Sequence, residues 1–234
     1  MTAGNGALSF RSDGAERYHA AAGAAVVSLR DALPIVPPDR AGLRISGIKA
    51  LRRFLLHSGA IGVIAAEVLG PRADAVRAIL FDKTAALNWS VAWHQDRTIS
   101  VVDHLEVDGF GPWTTKRGMH HVVPPIDLLV RMVTLRVHLD DVPDTNAPLL
   151  IAPGSHRLGR VSVDDIDAAI GACGVRACLA TAGDTWLYAT TILHASEIAK
   201  RPARRRVLQA DYSADELPGG LRWSGVCLRP RSAI

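Results

Sequence analysis

The chain has 234 residues, 48% hydrophobic and 21% charged, enough for one large domain or two small ones around a substantial core. No window approaches about 18 uninterrupted apolar residues, and the N-terminus lacks a basic region followed by an apolar one, so neither a membrane span nor a secretory signal is expected. The net charge of +4 is mostly arginine. Its densest cluster, "AKRPARRRV" (199–207), has no interleaved aromatics and no nucleic-acid motif beside it, so neither nucleic acid nor a membrane surface is expected as a partner.

In chain order, the first third reads as helical. Residues from about Asp13 to Leu33 are alanine-rich, and "ISGIKALRRFLLHSG" carries Ile48, Leu51, Phe54 and Leu55 at helix spacing with Gly59 as a stop. A further helix over "AIGVIAAEVLG" closes at Gly70 and Pro71. From Val76 the period changes. "VRAILFD", "NWSVAWHQD", "RTISVVDHLEV", "VTLRVHLDD", "PLLIAPG", "VRACLA", "DTWLYA", "TILHAS" and "RRVLQADYS" read as short strands punctuated by Gly, Pro, Asp and Asn. Helices are expected to interrupt them at "PPIDLLVRM" and "SVDDIDAAIGA". The pattern predicts a mainly β protein with N-terminal helices, a closed or double-sheet architecture such as a jelly roll. There is no glycine-rich nucleotide loop and no Gly-x-Ser-x-Gly, so a nucleotide-binding α/β fold and a serine hydrolase are not supported. Cys173, Cys178 and Cys227 form no Cys-x-x-Cys pair and leave an odd count, which fits a reducing cytoplasm and buried bystanders.

Three His-x-acid pairs compete as metal ligands: His94 and Asp96, His104 and Glu106, His138 and Asp140. On a strand, residues i and i+2 share a face, so each pair presents an imidazole beside a carboxylate. A third ligand from a distant strand would complete a two-histidine, one-carboxylate face that leaves three positions of Fe(II) open. With nine His and eighteen Asp, roughly 0.7 His-x-Asp pairs arise by chance, so context must decide. Alternation favours His94 and Asp96, at the end of "VAWHQD". The His138 pair, with Arg136 beside it, reads equally as a salt-bridged strand edge, and "DHLEV" runs into an acidic turn. His194 in "TTILHASE" is the third-ligand candidate; the alternative is a satisfied core histidine. Arg205 shares a strand face with Val207 and Gln209 and is expected to meet His194 across an antiparallel hairpin. A guanidinium there suits the distal carboxylate of a cosubstrate such as 2-oxoglutarate; the alternative is a surface charge.

The ordered series "ILFDKTAALNWSVAWHQDRTISV", "GPWTTKRGMHHVVPP", "RVHLDD", "PGSHRLGR", "LHASE", "RRRVLQADY" and "LPGGLRW", spanning Val76 to Trp223, resembles the phytanoyl-CoA dioxygenase family of Fe(II)/2-oxoglutarate-dependent oxygenases. The resemblance implies a single domain over residues 1–234, with a helical buttress to about residue 75 and a cupin-like double-stranded β-helix from 76 to 223. It implies iron on His94, Asp96 and His194, and 2-oxoglutarate on Arg205 and Ser196. Trp113, Gln95, Asn88 and Ile79 are weaker transfers to the cosubstrate site. It implies oxidation of a small molecule by O2, with hydroxylation favoured over halogenation because Asp96 is intact. It also implies that "PGSHRLG" is a structural hairpin and His156 no ligand. Trp93, Trp113 and Trp186 are candidate walls around the metal. One departure is Ala147, which stands in "TNAPLL" where the family has glycine. Two rival readings of the same fold are a metal-dependent isomerase or hydrolase without 2-oxoglutarate, and a non-catalytic binding protein. The substrate and the oligomeric state are not legible.

Overall fold

The computed structural model describes residues 7–226. Its strands are β1 (Ala15–Tyr18), β2 (Gly42–Ile45), β3 (Asp74–Lys83), β4 (Val91–His94), β5 (Ile99–Val101), β6 (Trp113–Lys116), β7 (Met119–Val122), β8 (Val133–His138), β9 (Leu149–Ile151), β10 (Arg176–Cys178), β11 (Thr185–Ala189), β12 (His194–Ser196) and β13 (Arg205–Ser213). They form a six-stranded sheet in the order β1-β11-β8-β13-β3-β2, a four-stranded sheet β10-β9-β12-β4, and a three-stranded sheet β5-β7-β6. All named pairings are antiparallel. This is a jelly-roll sandwich of the cupin-like kind, with mainly β content.

Period-two alternation divides the large sheet's side chains between two environments. Ala78 and Leu80 of β3, Leu135 and Val137 of β8, and Leu208 and Ala210 of β13 face outward and pack with Leu29, Leu51, Leu55, Ile61 and Ile64 of the N-terminal segment. Tyr212 at the end of β13 donates its hydroxyl to the Leu55 carbonyl, at 3.1 Å. The alternate residues turn inward: Arg77, Ile79 and Phe81, then Thr134, Arg136 and His138, then Arg205, Gln209 and Asp211. Polar inward faces on central strands are unusual for a sandwich core and single out this interior as the candidate site.

The N-terminal segment departs from the helical expectation. Helices do form at Val26–Ala32, Arg52–Leu55 and Gly62–Leu69, but β1 and β2 lie among them and supply both edges of the large sheet. Neither "AERY" nor "GLRI" alternates long enough to announce itself; pairing with β11 and β3 overrides local preference. Within the β region, "PWTTKRGMHHVV", which is not among the strands expected above, is a hairpin. Its two-residue turn is Arg117 and Gly118, both at positive φ (54° and 77°), the geometry that matches strand twist. "PGSHRLG" is likewise not a hairpin but a 3₁₀ turn, Ser155–Leu158, between Gly154 and Gly159 in positive-φ conformations. The helices expected in the β region occur at Ile126–Val130 and Ile166–Cys173. Among the described residues no helix is long and apolar enough to cross a membrane, and no disulfide forms; Cys227 lies outside them.

Gly62 opens the helix that begins this packing layer, and a Cβ there would collide with the carbonyl oxygens of Leu55 and Leu56. Helix propensity alone makes alanine better than glycine by about 1 kcal/mol. The collision reverses the sign, so Gly62→Ala should destabilise by roughly 1–3 kcal/mol, the scale of core overpacking. Urea unfolding of the variant measures it, and a gain in stability would contradict the close approach.

Candidate metal centre and its cavity

His94 ends β4 and His194 begins β12, and the two residues are Cα partners in the four-stranded sheet. Their rings lie 4.3 Å apart between centroids. Between His194 and Ser196 the register shifts, so that Ser196 pairs with Val91. This irregularity lets Val91 and His94, three apart, both line the same cavity, as bulges beside sites commonly do. Asp96 follows directly after β4. One ligand atom from each of His94, Asp96 and His194 lies within 4.8 Å of the others, the only such group of three or more found among the described residues.

The donor set is prepared for a cation. The Nδ1 atoms of His94 and His194 lie 2.8 Å and 2.9 Å from the Ala92 and Ile192 carbonyls, each two residues back. Donating there fixes the tautomer and leaves Nε2 with its lone pair free. Burial pushes His194 down to about 4, with the nearby Asp96 opposing, so its imidazole is neutral at ordinary pH. Burial alone would raise the Asp96 carboxyl, but Arg77, 3.5 Å away, outweighs it and holds the group below its usual range. Gln209 donates to the same carboxylate at 3.4 Å. Arg77 also pairs with buried Asp211, which accepts from Thr134 at 3.0 Å. Two imidazoles and one ionised carboxylate on one side, with open space opposite, suit Fe(II) with vacant positions.

That open space is a cavity of about 270 Å³ between the two main sheets. Ile79, Phe81, Trp89, Val91 and Leu149 supply its apolar walls, and Arg44, Arg136, Ser196, Arg205 and Gln209 its polar ones. Arg205 is 3% exposed, and burial, then the neighbouring Arg136, pushes it down to about 9. Its Nη1 donates to the carbonyl of Ala147, while Nε has no protein partner and neither does the buried Ser196 hydroxyl. Ala147 itself adopts φ 49°, so the residue at the family's glycine position takes the left-handed conformation despite its Cβ and presents that carbonyl to Arg205. Arg205 does not reach His194 across a hairpin: β12 and β13 belong to different sheets, and the two residues line one cavity from opposite walls.

The remaining candidates sort by what they touch. Ile79 lines the cavity. Gln95 does not: its amide donates to the Gly159 and Thr191 carbonyls and accepts from Val161 N–H, fastening the 3₁₀ turn behind the metal strands. Asn88 is engaged at both ends by the Ala199 backbone, where it pins the β12–β13 connection. Trp113 stacks on His104 at 4.1 Å and is absent from the cavity walls. Trp93 packs with Leu193, and Trp186 donates to the Leu179 carbonyl at 3.0 Å; the tryptophan that lines the cavity is Trp89. Ser155 accepts from Leu193 N–H at 2.9 Å and so braces the strand carrying His194, whereas His156 packs against Gly14 far from the triad.

The rival pairs are accounted for separately. His104 and Glu106 form a surface pair at 3.0 Å. Asp140 is engaged by Arg206 at 2.7 Å and Arg30 at 3.3 Å, on the sheet face opposite His138. His138 is buried with both ring nitrogens unpartnered, and burial, then Arg136 and Arg205, pushes it down to about 3. The arginine cluster divides by alternation: Arg204 pairs with Asp82 at 2.8 Å, Arg206 with Asp140, and Arg205 turns inward. A larger groove of about 550 Å³ beside Asp74, Asp215 and Arg222 contains none of the metal-ligating group.

Two measurements separate these assignments. His94→Ala, Asp96→Ala and His194→Ala should each weaken Co(II) binding to the folded protein by at least about 100-fold, beyond the range for outer-shell changes. His138→Leu and Asp140→Asn should leave Co(II) binding unchanged; its loss in either would move the centre. His138 also makes stability pH-dependent. Its folded value of about 3 lies below the ordinary value of 6.5, so the unfolded chain binds more protons and stability is lost as pH falls from about 6.5 towards 3. In His138→Leu the melting temperature should fall less between pH 7 and pH 5 than in the wild type.

Among solved structures, EctD from S. alaskensis with bound Fe is 18% identical, with 90% of this chain and 78% of that chain covered and a TM-score of 0.62. HygX from Streptomyces hygroscopicus, with nickel and 2-oxoglutarate bound, is 14% identical over 87% of this chain and 84% of its own, TM-score 0.59. The non-heme alpha ketoglutarate dependent epimerase SnoN from nogalamycin biosynthesis is 16% identical over 90% and 87%, TM-score 0.58. At these identities the likeness establishes the fold. No curated protein matches by sequence. The phytanoyl-CoA dioxygenase (PhyH) family model matches residues 49–207, more than half of the chain, and the chain belongs to that family.

Proposed function

We propose that this protein is an Fe(II)/2-oxoglutarate-dependent oxygenase that hydroxylates a small molecule. One observation carries the reading: a two-histidine, one-carboxylate cluster shares a cavity with a buried arginine and a serine that have spare hydrogen-bonding capacity. Family membership and neighbours solved with iron or with 2-oxoglutarate support it. In this reading His94, Asp96 and His194 hold the metal. Bound Fe(II) supplies O2 activation, with 2-oxoglutarate oxidised to succinate and CO2 while a substrate C–H becomes C–OH.

The chain's own residues do the positioning. Arg205 and Ser196 hold the far carboxylate of 2-oxoglutarate, and the Ala147 carbonyl aims the guanidinium. Desolvation and the neighbouring Arg136 count against the Arg205 charge, so a carboxylate paired with it relieves a cost rather than adding one. Arg77 and Gln209 keep Asp96 ionised and oriented. Phe81, Trp89, Val91 and Leu149 keep water from the reacting centre. The epimerase among the neighbours shows that this fold also serves other outcomes. Hydroxylation is proposed because Asp96 is retained, leaving no ligand position vacated for a halide.

A metal-dependent isomerase or hydrolase would have no use for the buried Arg205–Ser196 pair, and a non-catalytic protein none for the triad. Adding 2-oxoglutarate anaerobically to the Fe(II) protein should produce a visible metal-to-ligand charge-transfer band. The band should be absent in Asp96→Ala and at least about tenfold harder to saturate in Arg205→Ala, the loss of one charge-assisted bidentate contact. A wild type with no band, and no succinate formed in air, would defeat the oxygenase reading.

A further inference from the structure

The cavity holds a cation with no hydrogen-bonding partner and no part in this reaction. Of its three guanidinium groups, Arg205 serves the cosubstrate in the reading above, and Arg136 donates to Gln209 Oε1 at 2.7 Å. The side chain of Arg44, on edge strand β2, has no hydrogen bond or ion pair among the described residues, and its Nε is buried without a partner. Burial, then the like charges of Arg77 and Arg117, lowers its proton affinity, so the local field already works against the charge it carries.

Sheet register says where Arg44 stands. Arg44 pairs with Ile79, Ile79 with Gln209, and Gln209 with Arg136, which makes one rung across β2, β3, β13 and β8. Gln209 is the residue that donates to Asp96, so this rung lies level with the metal centre. Arg205 is four residues further along β13, a separation of about 13 Å at the rise of a strand, and two strands across, about 10 Å at strand spacing. Arg44 and Arg205 are therefore placed to grip different molecules: Arg205 the far end of a cosubstrate lying along the strand, Arg44 something beside the metal.

Charge points the same way. The two positive charges of Fe(II) and the two negative charges of 2-oxoglutarate cancel, so the cosubstrate complex supplies no counter-ion to Arg44 or Arg136; Arg136 is held by Gln209, whereas Arg44 has no such partner. A half-buried guanidinium beside an apolar wall is neutralised most economically by a carboxylate held bidentately.

We infer that Arg44 is the specificity-determining residue for the primary substrate, and that this substrate is a small organic acid whose carboxylate pairs with Arg44 while its hydrocarbon part lies against Phe81 and Trp89, facing the metal. A cavity of about 270 Å³ that must also admit 2-oxoglutarate keeps the reacting part compact. The inference rests on the oxygenase reading and names its substrate class.

The test uses the anaerobic Fe(II)·2-oxoglutarate holoprotein and three acids, benzoate, phenylacetate and 4-phenylbutyrate, each against its neutral amide. Binding is followed by perturbation of the charge-transfer band and, independently, by thermal shift. At least one acid should bind ten or more times tighter than its amide. Arg44→Gln should erase that preference to within twofold while leaving the 2-oxoglutarate affinity within twofold, and Arg44→Lys should restore part of it. No acid preference in the wild type, or a preference that survives Arg44→Gln, overturns the inference. So does a tenfold loss of 2-oxoglutarate affinity in Arg44→Gln, which would make Arg44 a cosubstrate residue. Failure of the band to form in the wild type sinks the oxygenase reading instead, and the thermal-shift comparison still decides the charge preference.

Discussion

The arrangement of the site depends on one largely buried guanidinium. Arg77 leaves the inner face of β3 and pairs with Asp96, just past the end of β4, and with Asp211 on β13. It thereby ties the four-stranded sheet, which carries the histidines, to the central strands of the six-stranded sheet. Three charges out of water are costly unless each is matched, and here the match also orders the carboxylate that would take a metal. Asp211 bears the cost: burial, with Asp96 nearby, raises its carboxyl even though Arg77 and Thr134 pull it down.

The rest of the site follows from sheet parity. The outward residues of β3, β8 and β13 join the N-terminal helices in an apolar layer that holds those strands rigid. The inward residues are then free to be polar, with Arg136, Gln209 and Arg205 on one wall and the two histidines on the other. The same alternation sends Arg204 and Arg206 to Asp82 and Asp140 on the outside and turns Arg205 in. A run of three arginines that looks like a basic patch is two ion pairs on the sheet's outer face and one inward, buried guanidinium. The β1 and β2 strands extend this logic to the N-terminal segment, which caps the sheet edges and lends Arg44 to the cavity.

Strong periodic signals were legible: the long strands β3, β8 and β13, the helices at Ile126–Val130 and Ile166–Cys173, and the switch to short strands after Val76. What escaped had weak local signals or needed a partner. Four-residue edge strands gain their identity from the neighbour's backbone, and a turn formed by Arg117 and Gly118 needs a non-glycine residue at positive φ that few patterns announce. At the site, alternation puts Trp93 and Gln95 on the face opposite His94 and Asp96, and neither lines the cavity, although both were expected near the metal or cosubstrate. It did not reveal that Gln95, Asn88 and Trp113 are spent on backbone or packing contacts, because their partners, at Val161, Ala199 and His104, are set by tertiary contact. Trp89 and Arg44 went unnoticed for the same reason, one in a loop and one in a segment read as helical.

Sequence alone determined the chemistry available: a His-x-Asp pair at a strand end, a distant His-x-Ser, and an arginine eleven residues beyond it, in an order that matches one family. These are local or ordered properties, and spacing preserves them. Only the tertiary structure decided which pair faces its partner histidine, that Arg205 approaches from the opposite sheet, and that the Arg44 guanidinium is left without a hydrogen-bonding partner. Those outcomes depend on strand register and on which faces two sheets turn towards each other. Residues far apart in the chain set both, through the apolar area they bury together.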